Sequence, residues 1–320
     1  MIAPAMIGIG LFVFYPLVYL FYISLFDFNL MNRLKSEFIG FQNYAEILAR
    51  EDFYDVLKNT LIYTIGVVSF TIIISLFVAF WLKKQSKLNF IVQAGIFTPH
   101  VISIVSISLV WMWLMEPNHG LLNFVLNSLN LPTSQWLQSS GSSMLSIIIV
   151  SVWGNIGYYA LIIVAAIQGI PGSLYEAAHL DNASRWSILR RITVPMISPQ
   201  LFFILVTMTI GSFKVFDTVR IMTAGGPNNS TNTIVYYIYS FRTTNIGYAS
   251  AIGILLVIII VPFLWMISTS FQTFEETLKV PPTLIPESLQ WGNFLQALSS
   301  GPFGTYFRNS VIVTFSIMLI

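Results

Sequence analysis

Six runs of about 20 apolar residues, each the length that crosses a hydrocarbon core about 30 Å thick, constrain this chain more than any other feature. They lie near residues 3–25, 60–82, 90–115, 143–167, 199–222 and 248–271. Composition agrees: 56% of the 320 residues are hydrophobic and only 9% are charged, too few charges to clothe a water-soluble surface. The sequence therefore predicts an all-α polytopic membrane protein. The opening "MIAPAMIGIGLFVFYPLVYLFYISLF" has neither a basic leader nor a small-residue cleavage site, and reads as a first span rather than a removed signal. A net charge of +2 gives no reason to expect nucleic acid, and the absence of cysteine excludes disulfides and thiolate metal sites.

The cations fall in alternate loops. Lys83, Lys84 and Lys87 follow the second run, and Arg185, Arg190 and Arg191 follow the fourth. Residues 116–142 carry no Lys or Arg, residues 223–247 carry only Arg242, and the four cations of 26–59 are diluted by six acids. Basic loops stay cytoplasmic, so these two are expected inside, as is the N-terminus. Pro99 in the third run and Gly154 and Gly157 in the fourth are expected to break their helices. Such breaks persist in lipid where neighbouring helices or a wet cavity satisfy the freed backbone. Both a kinked bundle and a pathway lining fit them.

The segment 174–195, "LYEAAHLDNASRWSILRRITVP", is a compact charged island between apolar runs. It reads as two short helices joined at "DNA", where Asn182 tolerates a left-handed backbone. Ser184 is placed to cap the second helix, whose last turn holds Arg190 and Arg191, and Pro195 and Pro199 should stop it. Ala177, Ala178 and Ala183 permit close approach, while Leu174, Leu180, Trp186, Ile188 and Leu189 supply apolar area. On physics alone, a helix lying on the bilayer and a helix docking to another protein both fit.

The island resembles the EAA motif of the membrane subunits of binding-protein-dependent ABC importers. Glu176, Ala177, Ala178, Ile192 and Pro195 match at the motif's spacing, and Asn182 stands where the family has Gly. "FIGFQNYAEILAREDFYDVLKNTLIYT", "GLLNFVLN", "SVWGNIGYYALIIVAAIQGIP" and "VFDTVRIMTAGGPNNSTNTIVYYIY" narrow the likeness to the carbohydrate-type permeases, over about residues 2–257. The resemblance implies a MetI-like six-helix permease bundle for sugars, oligosaccharides or glycerol phosphates in a bacterial or archaeal inner membrane. It makes 174–195 the coupling segment that sits in a cleft of the ATPase, with Asp181, Ala183 and Arg185 beside the matched positions. It implies as partners a cytoplasmic ABC ATPase dimer, a second permease subunit and an extracytoplasmic substrate-binding protein, the last approached by Gly225, Gly226 and Pro227. ATP and Mg would belong to the ATPase, because no phosphate-cradling GxxxxGK[ST] occurs here. No residues are expected to be catalytic or to bind metal: the three histidines are isolated and no acids pair convincingly.

Polar groups at membrane depth are candidate substrate contacts. These are Asn155, Tyr158 and Tyr159 in the fourth run, and Ser212, Lys214 and Asp217 in the fifth. Lys214 and Asp217 also fit a simple ion pair three residues apart. Two rival readings are an ion-gradient secondary transporter, which needs more buried ionisable groups than this, and a non-functional fused fragment.

The tail repeats the opening. "QNYAEILAREDFYDVLKNTLIYT" at 42–64 returns as "GNFLQALSSGPFGTYFRNSVIVT" at 292–314, and "FYPLVYLFYISLFDF" as "IVPFLWMISTSFQTF". The stretch from 258 resembles the start of the partner permease, so 1–257 is expected to be one permease domain and 258–320 the truncated beginning of a second, joined by a fusion or mis-joined reading frame of two adjacent permease genes. A genuine permease with internal duplication is the alternative.

Overall fold

The computed structural model describes residues 3–28, 36–83 and 86–277, together with 279, 286, 289–293 and 296. The chain opens with α1 (Ala3–Ile9), a π-helical turn (Gly10–Phe14) and α2 (Tyr15–Ser24). A two-strand ribbon follows, β1 (Phe26–Asp27) antiparallel to β2 (Glu37–Phe38), with Phe26 opposite Phe38. Next come α3 (Gln42–Ala49), α4 (Glu51–Leu82), α5 (Lys87–Val101), α6 (Ile104–Leu114), α7 (Leu121–Ser128) and α8 (Ser143–Gln168). The island forms α9 (Gly172–Leu180), α10 (Arg185–Ile188), a π-helical turn (Leu189–Thr193) and α11 (Val194–Met196). Then follow α12 (Ser198–Phe213), α13 (Asp217–Met222), α14 (Ile234–Ser240), α15 (Ile246–Ser270) and α16 (Phe274–Thr277).

Among the described residues, four helices are long and apolar enough to cross a membrane alone: Met6–Ser24, α4, α8 and α15. Two bent pairs bring the number to as many as six, α5 with α6 at 97° and residues 185–196 with α12 at 64°. The six apolar runs are therefore present, with corrections. The third run bends at Ile102 and Ser103, where the backbone leaves the helix and Ile102 is extended, rather than at Pro99, which lies within α5. The glycines of the fourth run do not break α8. A Cβ on Gly157 would lie 2.0 Å from the Ile96 carbonyl oxygen, so this glycine lets α8 touch the backbone of α5. The fifth run ends at Phe213, and Lys214–Phe216 interrupt it before α13. Pro195 does not stop its helix either: a π-turn precedes it, and the break comes at Ile197.

The described chain forms two compact units, one of residues 1–169 and 204–261, the other of 170–203 and 262–320. In the first, α4 and α8 pack through small and hydroxyl side chains. Thr60, Thr64, Thr71, Ser75 and Ala79 are buried on α4, as are Ser143, Ser146, Ser151, Gly154, Gly157 and Ala160 on α8. In hydrocarbon, apolar burial does little to draw helices together, so close packing and hydrogen bonds must. Ser75 Oγ donates to the Ile156 carbonyl at 3.0 Å, and Tyr63 Oη to Ser151 Oγ at 2.8 Å. A compact apolar cluster, Ile47, Phe53, Val56, Ile234, Tyr237, Tyr248 and Ile252, ties α3, α14 and the first turns of α4 and α15 together.

Asn43, buried in this unit, donates from Nδ2 to the carbonyls of Ser24 (2.8 Å) and Phe26 (3.1 Å). In the second unit Asn293 donates to those of Ser270 (3.1 Å) and Gln272 (2.8 Å). In the register of the repeated stretches Asn43 falls on Asn293, Ser24 on Ser270 and Phe26 on Gln272. The repetition thus extends to a hydrogen-bonded clamp. Nearly all of the counterpart at 292–314 beyond it lies outside the described residues.

Candidate functional site

The island at 174–195 is a helix–turn–helix within the second unit. Helix α9 ends in a Schellman motif. The Ala183 N–H donates to the Ala178 carbonyl at 2.9 Å and the Asn182 N–H to that of His179 at 3.1 Å, with Asn182 at φ +51°. That is the left-handed position at which helices prefer glycine, and asparagine is the residue that most readily replaces it. Ser184 then caps α10, accepting from the Ser187 N–H at 3.2 Å. Tyr175 Oη and Thr193 Oγ1, 3.2 Å apart, close the two arms.

This fold divides the predicted coupling residues. Glu176, Ala177, Asp181, Asn182, Arg185 and Pro195 are exposed, Ala183 and Ile192 half-buried, and Ala178 is packed inside. The apolar residues divide too. Ile188 is buried, while Leu180 is 84% exposed and Trp186 69%, with Leu174 exposed beside them. The turn therefore presents apolar side chains next to charged ones, a surface composed for contact.

The predicted pathway residues lie in the first unit, and the structure gathers three of the six. Asn155, Tyr159 and Ser212 line one cavity of about 190 Å³ with Tyr63 and Gly211. Asn155 and Tyr63 also line a neighbouring cavity of about 220 Å³, whose polar walls include His100, Ser151 and Thr218. Ser151 holds the two shared residues, accepting from Tyr63 on its hydroxyl and from Asn155 Nδ2 on its carbonyl at 2.7 Å. Tyr158 points elsewhere and stacks on His100, their centroids 4.3 Å apart at 9°. Lys214 sits in the break after α12 and Asp217 opens α13, both exposed. They line neither cavity and form no ion pair with each other.

Tyr63 and Ser151 were not among the residues the sequence singled out, although a signal was there. Thr60, Thr64, Thr71 and Ser75 mark a polar face on an apolar span, and Tyr63 lies against its edge. The sequence presents His100 as an isolated histidine; in the structure it lines the second cavity from the last turn of α5 and stacks on Tyr158.

The loop at Gly225–Pro227 is a compact turn. Ala224, Gly225, Asn228 and Asn229 all have positive φ, and a Cβ on Gly225 would meet the Tyr236 ring at 2.8 Å. Asn59 Nδ2 donates to the Asn229 carbonyl at 2.9 Å and Ser230 Oγ lies 2.9 Å from Ser143 Oγ, fixing the loop to α4 and α8.

A family model described as binding-protein-dependent transport system inner membrane component matches residues 71–272. The sulfoquinovosyl glycerol transport system permease protein SmoG of Agrobacterium fabrum is 30% identical over 258 residues, 80% of this chain and 84% of that one. The probable ABC transporter permease protein YurN of Bacillus subtilis is 34% identical over 282 residues, 86% of this chain and 96% of that one. A solved bacterial alginate ABC transporter, in complex with an alginate pentasaccharide-bound periplasmic protein, has a chain of like fold. Its TM-score is 0.73 at 24% identity, covering 84% of this chain and 91% of that one.

Proposed function

The chain belongs to the inner membrane components of binding-protein-dependent transport systems, as a permease of an ABC importer, and from that premise we propose that its cargo is a sugar, an oligosaccharide or a glycerol phosphate. SmoG serves a system named for a glycoside. The cavities combine tyrosine, amide and hydroxyl groups, which suit a ligand with apolar C–H faces and many hydroxyls. Asn155, Tyr159 and Ser212 contact it, joined by Tyr63.

Binding and hydrolysis of ATP, with Mg, take place on a partner ATPase dimer and drive alternating access through the helix–turn–helix at 174–195. Glu176, Ala177, Asp181, Asn182, Ala183, Arg185, Ile192 and Pro195 carry that contact, and Ala178 supports it from inside. A second permease subunit completes the pathway. An extracytoplasmic binding protein delivers substrate at Gly225, Gly226 and Pro227. The chain lies in a bacterial or archaeal inner membrane with its N-terminus in the cytoplasm. Residues 1–257 make up the permease domain, and 258–320 begin a second copy of the architecture.

The observation that carries this reading is the Schellman turn at Asn182 within a matched EAA segment, with Leu180 and Trp186 exposed beside it. Cysteine crosslinking from Ala177 in native membranes tests it. The ATPase should be captured, and the capture lost on Glu176→Lys. Labelling of that cysteine from outside the cell, or its failure to capture any ATPase, would sink the coupling role.

A further inference from the structure

Two arginines share one tyrosine ring at the edge of an apolar groove in the first unit. The Arg242 guanidinium lies 3.7 Å from the Tyr239 ring centroid and donates to the Tyr239 carbonyl at 3.0 Å. The Arg220 guanidinium lies 4.8 Å from the same centroid and 5.6 Å from that of Phe216. Phe216 and Tyr239 themselves meet edge to face at 4.9 Å. Cation–π contact positions both cations without neutralising either. Neither forms an ion pair with a carboxylate among the described residues, and this includes Asp217, one turn before Arg220. Two exposed like charges held around one ring repel each other, and apart from the Arg242 bond to the Tyr239 carbonyl their donors can turn to an anion.

The groove has a volume of about 430 Å³, and Arg242 and Tyr239 stand among its lining residues. Its other walls are almost wholly apolar: Val235 and Ile238 from α14, and Ile246 and Ala249 from the first turn of α15. Because α15 is long and apolar enough to cross a membrane, a groove that starts at its first turn would begin at the bilayer interface and extend toward the hydrocarbon. We propose that this groove holds one anionic phospholipid, its phosphate on Arg220 and Arg242 and an acyl chain along Val235, Ile238 and Ala249. A small free anion would leave the groove unfilled. A protein partner would have to desolvate two cations and supply buried carboxylates for them. A lipid headgroup matches the charge while leaving the site hydrated, and its chain fills the apolar wall. The inference requires only that α15 crosses the membrane, not the substrate proposed above.

The test is native mass spectrometry of the assembled transporter, taken from nanodiscs that mix phosphatidylglycerol with phosphatidylcholine. One phosphatidylglycerol should be retained with a preference of about tenfold or more, and the double variant Arg220→Gln, Arg242→Gln should lose that preference. Equal retention of the two lipids overturns the proposal, as does full retention by the double variant. Displacement by millimolar inorganic phosphate would reveal a small-anion site instead. Capture of the second permease subunit by a crosslinker at Val235→Cys would make the groove a subunit interface. If the double variant does not fold, the unmodified complex decides: its Tm should be higher in phosphatidylglycerol than in phosphatidylcholine discs, and equal values overturn the proposal.

Discussion

At the scale of single residues, Asn182 and Gly157 solve different backbone problems. Asn182 occupies φ +51°, where a β-branched side chain is strained by about 1–3 kcal/mol. Asn182→Val should therefore distort the Schellman turn and uncouple ATP hydrolysis from transport, whereas Asn182→Gly should preserve both. The comparison is read as ATPase stimulation by loaded binding protein in proteoliposomes; equal stimulation by the two variants would show that the turn is not used. Gly157 is needed for space. Adding a Cβ there drives it into the Ile96 carbonyl, and because the obstacle is backbone, Gly157→Ala should destabilise by about 1–3 kcal/mol. Gly154, one turn away, has nothing within 4 Å of its own Cβ position. Gly154→Ala should be neutral or stabilising by up to about 1 kcal/mol, so thermal unfolding in detergent separates the two. The sequence marks both glycines alike, because helical spacing alone does not reveal which one faces a neighbouring backbone. Asn182 was legible for the opposite reason: its conformation is set by a local motif whose every member lies within a few residues.

At the scale of elements, the hydroxyl face of α4 against α8 does for this bundle what apolar surface does in water. Tyr63 is 3% exposed and its hydroxyl is satisfied by Ser151. Ser151→Ala leaves that hydroxyl buried without a partner, at a cost of about 1–3 kcal/mol. Tyr63→Phe strands the Ser151 hydroxyl in the same way, whereas the double variant Tyr63→Phe, Ser151→Ala leaves neither group unpaired and should cost no more than about 1 kcal/mol. Unfolding of the three variants in detergent checks this, and a double variant as unstable as the sum of the two singles would mean that water reaches the site. Tyr63 and Asn155 also stand between the two cavities, so Tyr63→Ala should join them and admit a bulkier saccharide, measured as competition by longer oligomers for uptake. The apolar runs made these elements readable, since membrane thickness fixes their length. The break at Ile102–Ser103 was not readable, because no proline or glycine stands there and the proline that invited attention lies inside α5. The fifth run reads longer in sequence than its helix for a related reason. "FKVFD" contains one cation and one acid, too little polarity to interrupt an apolar pattern, yet the helix stops there.

At the scale of the whole molecule, the clamp built by Asn43 recurs at Asn293, and a recurrence in hydrogen bonding is harder to obtain by chance than one in residue letters. Each asparagine spans two carbonyls at the exit of an apolar helix, where the chain leaves the helical ladder. The surroundings differ. Asn43 is 2% exposed, so Asn43→Ala strands the carbonyls it served and should cost about 1–3 kcal/mol. Asn293 is half-buried, so water can replace part of what the amide supplied, and Asn293→Ala should cost no more than about 1 kcal/mol. The two clamps share no partner, and the double variant should lose the sum of the single losses to within about 0.5 kcal/mol. Chemical denaturation with limited proteolysis of the tail measures both. If the tail is built on the same plan as the opening, Asn293→Ala should raise cleavage between 270 and 293 while leaving the 42–64 region as resistant as before. Unchanged cleavage would mean that the second clamp holds nothing, and the case for a repeated architecture would fall back on sequence alone.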